Sequence, residues 1–310
     1  MNAHSQPPAQ AIADLPVAAT VIAAFASVLG QPALLLQAAK GAVALLVAGV
    51  ILVLILPATA ASSFFLVFVS FAATSHFGLN WCRVMLLGPA GLPARSLGWT
   101  GAHWRFLGYG LLLFLVMLLS TLPMTAIGSV LAALLGLASV PGEMGARVGL
   151  VMLLTFLGMV YVVARFGFIF PAVAVEETYS LRHAWQHTAG QGLRMTAALF
   201  AAGFPLALAQ LLLTIVLFEG VLGVSLSEVM GPVGPEAGGA PSPAEVGGTA
   251  PSLAAVLFVN AVAALFNFLC FAVLFSLLSL AFRTCTGWVP VVSGTLPGVP
   301  DGNGRDDDAR

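Results

Sequence analysis

Residues 252–282 read SLAAVLFVNAVAALFNFLCFAVLFSLLSLAF, and no charged side chain interrupts them. A helix that crosses the hydrocarbon core of a bilayer needs roughly 20 mostly apolar residues, so this run is long enough with residues to spare. A helix that is apolar on every side is either a membrane span or the centre of a large soluble core. The rest of the chain decides between the two. Similar runs fall at 35–57, 61–86, 107–136, 149–173 and 193–218, and together they predict six spans in an all-α, polytopic transmembrane bundle.

Composition agrees. Sixty per cent of the 310 residues are hydrophobic and 7% are charged. A soluble domain carries about 25% charged residues, because Lys, Arg, Asp and Glu are what face water. Lipid removes that requirement. A net charge of −1 excludes the basic field of a nucleic-acid binder. The MNAHSQPPAQ start lacks the positive region of a cleaved signal peptide, which argues against one.

The few charges orient the spans. Arg83, Arg95 and Arg105 fall between the second and third spans, Arg182 and Arg194 between the fourth and fifth, and Arg283, Arg305 and Arg310 after the sixth. The alternate connections hold Arg147 alone, with Glu219, Glu228, Glu236 and Glu245 in the last of them. The positive-inside rule then places both termini in the cytoplasm.

The chain divides into an N-terminal segment (1–34), a six-span membrane domain (35–285) and a C-terminal tail (286–310). Ile12, Leu15, Ile22, Phe25 and Leu29 recur at helical spacing within 11–31, which predicts an interfacial helix or one packed on the bundle; Thr20, Ser27 and Gln31 form its polar face. A seventh span is the competing reading. Gly, Pro, Ala and Ser dominate about 228–250 and the tail, so both read as disordered. Three spans also end alike, with Arg followed by Pro six or seven residues later: Arg83 and Pro89, Arg165 and Pro171, Arg283 and Pro290. We read these as three helical hairpins on one plan; Arg and Pro marking a cytoplasmic end is the simpler alternative.

Candidate functional residues concentrate in ARFGFIFPAVAVEETYSLRHAWQHTAGQG, residues 164–192. Arg165 lies inside an apolar run, where an ionisable group needs a partner. Glu176 and Glu177 are the expected partners if Pro171 folds the chain back; snorkelling to headgroups is the alternative. Ser180 is placed to cap a short helix and Gly190 to end it. That helix would join the fourth and fifth spans along the membrane surface, with Leu181, Ala184, Trp185 and Thr188 on one face. Arg165, Arg182 and Arg194 beside Trp185 form a surface suited to phosphate, with Glu176 and Glu177 at its edge.

His183 and His187 share the spacing of a zinc pair, but Ala184 stands where the motif needs its Glu, and two ligands are too few. Cys82, Cys270 and Cys285 form no CxxC pair and read as buried thiols. His76, Gln210, Asn260 and Asn267 are the polar residues well inside spans, and they read as a polar interior of the bundle, through helix–helix hydrogen bonds or a solute path. Pro123 and Pro205 are expected to kink their spans. No Asp falls between Asp14 and Asp301, and no GxSxG, GxxxxGK[ST] or HExxH motif occurs. Nothing here calls for a cofactor or a catalytic residue.

NWCRVMLLG at 80–88, the run 165–190 and LLSLAFR at 277–283 resemble a broad group of bacterial six-helix membrane proteins without a settled activity. That group is similar to the membrane domain beside some glycerophosphodiester phosphodiesterases. The motif is carried here by Arg165, Pro171, Ala172, Glu176, Ser180, Leu181, Trp185, Thr188 and Gly190. No phosphodiesterase domain is read in this sequence, so that activity is not carried over, and we read the chain as a non-enzymatic protein of the bacterial inner membrane. Its expected partners are membrane lipids or another membrane protein.

Overall fold

The computed structural model describes residues 14–55, 60–93, 97–135, 144–177, 179–223 and 252–289. Within them run α1 (Val17–Gly30), α2 (Pro32–Ile55), α3 (Ala60–Leu87), α4 (Gly101–Leu134), α5 (Met144–Phe166), α6 (Ile169–Ala174), α7 (Leu181–His187), α8 (Gly192–Gly220) and α9 (Leu253–Thr286). Among the described residues six helical stretches are long and apolar enough to cross a membrane, and they coincide with the six expected spans. The chain has the architecture of a multi-pass membrane protein. The 228–250 loop, Pro290 and the 293–310 tail lie outside the described residues.

The long helices pair as hairpins, α2 with α3, α4 with α5, and α8 with α9. α3, α4, α5, α8 and α9 each pack against the next, and α9 returns to α3, so five helices form a ring. α2 lies outside it against α3. Trp81 of α3 fixes the closure, donating its indole N–H to Ser276 Oγ at 2.8 Å and to the Ala272 carbonyl at 3.0 Å, both on α9. A buried indole needs such a partner, and a second helix supplies it here.

Burial is concentrated at one end of the ring. Phe77 and Trp81 of α3, Phe106 of α4, Met195 of α8 and Phe282 of α9 are fully buried there. At the other end Leu54, Leu122, Leu134, Met152, Val216 and Phe258 are exposed, as suits helices whose outer surface meets lipid.

Two expectations are corrected. The fourth span is not a continuous helix over 149–173. α5 stops at Phe166, the chain turns at Gly167 and Phe168, and α6 follows with every residue buried. Gly167 permits this close turn, since a Cβ there would stand 2.6 Å from the Val163 carbonyl oxygen and 2.7 Å from Leu278 Cδ2. α6 packs against α3, α4 and α9 and closes that end of the ring.

The N-terminal helix turns only part of its expected apolar face inward. Thr20, Ala24 and Val28 are buried against α8 and α9, Leu15 just before the helix is buried and Phe25 packs on the core, while Ile22 and Leu29 are exposed. In lipid the apolar side has no reason to turn inward, so small residues take the packing face. At about 21 Å, 14 residues of helix are too short to span the ~30 Å core.

Candidate functional site

Every arginine whose side chain is described lies at the buried end of the ring: Arg83 closes α3, Arg105 opens α4, Arg165 closes α5, Arg182 sits on α7, Arg194 opens α8 and Arg283 closes α9. Three of them hold the fold together, and each binds the start or end of a helix.

Arg165 is 6% exposed. Its Nη1 donates to the Thr188 carbonyl at 2.6 Å and its Nη2 to the Trp185 carbonyl at 3.1 Å, while its guanidinium carbon lies 3.8 Å from the Trp185 ring centre. Thr188 Oγ1 donates back to the Arg165 carbonyl at 3.1 Å. The partners of Arg165 are therefore the carbonyls at the end of α7, not Glu176 or Glu177, and its burial excludes snorkelling. A cation at a helix C-terminus satisfies carbonyls that the helix leaves unpaired. α7 itself forms as its caps predict: Ser180 Oγ accepts from the His183 N–H at 3.3 Å, and Gly190 follows with φ of +79°.

Arg83 does the same for α6. Its Nε donates to the Ala174 carbonyl and its Nη2 to Glu176 Oε1, both at 3.0 Å. α6 ends in a Schellman turn, with the Glu176 N–H on the Val173 carbonyl and the Glu177 N–H on the Ala172 carbonyl. The left-handed position of that turn normally takes glycine, yet Glu176 occupies it at φ +62°. Its carboxylate, paired with Arg83, gives a reason for the residue.

Arg194 pairs with Asp14 at 2.6 Å, and Gln191 donates to the same carboxylate at 3.1 Å while accepting from the Leu15 N–H at 3.3 Å. Gln191 first and Arg194 second hold the Asp14 carboxyl below its ordinary range. This clasp ties the start of α1 to the start of α8. Neither Asp14 nor Gln191 was singled out from the sequence, since a pairing across 177 positions leaves no local signal.

Arg105, Arg182 and Arg283 are exposed and have no ion pair among the described residues. Arg105 lines a pocket of about 370 Å³ with Tyr109, Glu177, Tyr179, Ser180 and His183. Tyr109 donates its hydroxyl to the Tyr179 carbonyl at 3.1 Å. Burial, then the Glu177 charge, pushes the Tyr179 phenol above its ordinary range, so it stays neutral. Arg105 and His183 offer donors at the mouth. In the sequence Arg105 is one loop charge among several; its proximity to Ser180 and His183 depends on how α6 returns the chain.

The residues expected as a polar interior separate into two places. Gln210, Asn260 and Asn267 line one groove of about 610 Å³ between α8 and α9, with both asparagines exposed to it. His76 is elsewhere. It stacks on His103 (centroids 4.7 Å apart) and on Trp99 (5.9 Å), and its Nδ1 accepts from Asn80 Nδ2 at 3.2 Å. Thr100 and His103 close a capping box at the start of α4, a variant of the usual Glu signature that histidine concealed. Among the described residues no group of three His, Cys, Asp or Glu is placed to hold a metal. Comparison with family models, curated proteins and solved structures finds no match for the chain.

Proposed function

We propose that this chain is a non-enzymatic protein of the bacterial inner membrane, with both termini cytoplasmic, whose arginine-rich end binds anionic lipid headgroups. The observation that carries this reading is the division of labour among the arginines. Arg83, Arg165 and Arg194 are engaged by partners within the fold, Arg194 while itself exposed, whereas Arg105, Arg182 and Arg283 are exposed with no ion pair among the described residues. Trp185, on α7 with Arg182, is 45% exposed, as befits an aromatic ring at the headgroup boundary. The lipid role therefore moves from Arg165 to Arg105 and the Arg105–His183 pocket. The charged groups that meet here stabilise helix ends and ion pairs, which is the chemistry of binding rather than catalysis. The resemblance to bacterial six-helix membrane proteins fits the same reading.

Retention of dioleoylphosphatidylglycerol by the purified protein, followed by native mass spectrometry, tests it. A juxtamembrane arginine contributes about 1 kcal/mol to anionic-lipid attraction, so Arg105→Ala and Arg182→Ala are each expected to weaken retention about fivefold. Undiminished retention in the double variant would contradict the proposal. Movement of a small solute or lipid is the second reading, favoured by the groove between α8 and α9. Flux into liposomes that is abolished by filling the groove would support it over the first.

A further inference from the structure

The groove between α8 and α9 is graded in polarity along its length. Leu206, Phe271 and Leu274 are half-buried and line the part toward the arginine end, over the buried Leu199, Val273 and Leu277. Gln210, Asn267 and Asn260 line the part toward the other end. At 1.5 Å per residue Gln210 lies about 24 Å along α8 from Arg194, and Asn267 about the same distance along α9 from Arg283. Two carboxamides from two antiparallel helices thus meet at one depth, near the far edge of a ~30 Å hydrocarbon layer. Asn260 stands about 10 Å further out.

No acidic or basic side chain lines this groove. Asn260 gives one N–H to the Val256 carbonyl at 2.8 Å, and no hydrogen bond engages Asn267 or the Gln210 side chain among the described residues. Unpaired amides at bilayer depth each cost several kcal/mol against hydrocarbon, so this position calls for a hydrogen-bonding occupant. Amides without a charged neighbour suit an uncharged head, and the apolar floor suits a chain. The volume of about 610 Å³ falls within the roughly 300–1,000 Å³ typical of small-molecule sites.

We infer that the groove binds a neutral amphiphile from the leaflet opposite the arginines. Its hydroxyl or ester head pairs with Gln210 and Asn267, and its aliphatic chain lies along Leu206, Phe271 and Leu274. This site is separate from the Arg105 pocket in place, in charge and in leaflet.

Native mass spectrometry of the purified full chain in detergent, titrated with dioleoylglycerol, tests the inference. The parent is expected to retain one glyceride. Loss of the head contacts in Gln210→Leu/Asn267→Leu should weaken it about tenfold, from two intramembrane hydrogen bonds of about average worth. Ala263→Phe keeps the amides and fills the groove, and should abolish retention; circular dichroism confirms that both variants remain helical. Arg105→Ala should leave glyceride retention unchanged, whatever it does to the anionic lipid. Equal retention in parent and variants would overturn the inference. So would a parent dimer that the double leucine variant converts to monomer, since the amides would then serve a second copy of the chain.

Discussion

Arg165 shows how a single charge is accommodated in a chain that carries so few. Its two carbonyl bonds and its stacking on Trp185 need a planar fork, which lysine lacks. Arg165→Lys is expected to destabilise the fold by about 1.5–3 kcal/mol, the range for hydrogen bonds to a charged donor. Arg182→Lys, on the exposed side of α7, should stay within about 0.5 kcal/mol. Unfolding in detergent compares the two, and equal effects would contradict the assigned role of Arg165. Glu176 offers a sharper contrast. Glu176→Gly relieves a left-handed residue as it loses the Arg83 pair, whereas Glu176→Ala keeps the strain and loses the pair. The alanine variant should be the less stable by about 1 kcal/mol. The presence of a constrained arginine near 165 was legible in the sequence, because an ionisable group in an apolar run is conspicuous. Its partners were not, since backbone carbonyls carry no residue signature and only the path through α6 brings them close.

Among the elements, α6 and α1 account for most of what the sequence left unread. The break at Gly167 sits in RFGFIFPAV, where every residue from 166 to 175 is apolar or glycine, so hydropathy sees one span. The turn depends on a close approach to Val163 and Leu278, a property of packing and not of pattern. Gly167→Val should therefore cost about 1–3 kcal/mol by overpacking, against little change for Gly149→Val, which meets open space. Melting curves in the same detergent would show the difference, and its absence would mean that α6 does not pack as described. α7, by contrast, was legible because Ser180 and Gly190 are capping residues with local logic. The docking of α1 carries a pH dependence. A carboxyl held below its ordinary value stabilises docking fully above that value, near 4, and the contribution fades as pH falls through the lowered one. Spin labels at Ala18→Cys and Leu193→Cys, with the native cysteines replaced by serine, should report a broadened distance in strong acid. Asp14→Asn should broaden it at neutral pH and remove the acid response. A narrow distribution throughout would show that the clasp does not hold α1.

The whole molecule follows from one physical contrast between its ends. Six apolar runs were visible because span length is set by the bilayer and survives any uncertainty about packing. Which polar residues share a space was not visible: Asn260 and Asn267 share a face by their spacing, but the sequence could not say that Gln210 joins them while His76 faces Trp99 and His103. The alternating helices bring Arg83, Arg105, Arg165, Arg182, Arg194 and Arg283 to one end and leave Glu219 at the other. That asymmetry supports the proposal that the arginine end is cytoplasmic. The measurement that tests it most directly is labelling by a membrane-impermeant maleimide in a chain whose native cysteines are serine. Ala189→Cys, after α7, should react in inverted vesicles and not in intact spheroplasts, and Val221→Cys, after α8, should show the reverse. Labelling of both positions from the same side would contradict the account.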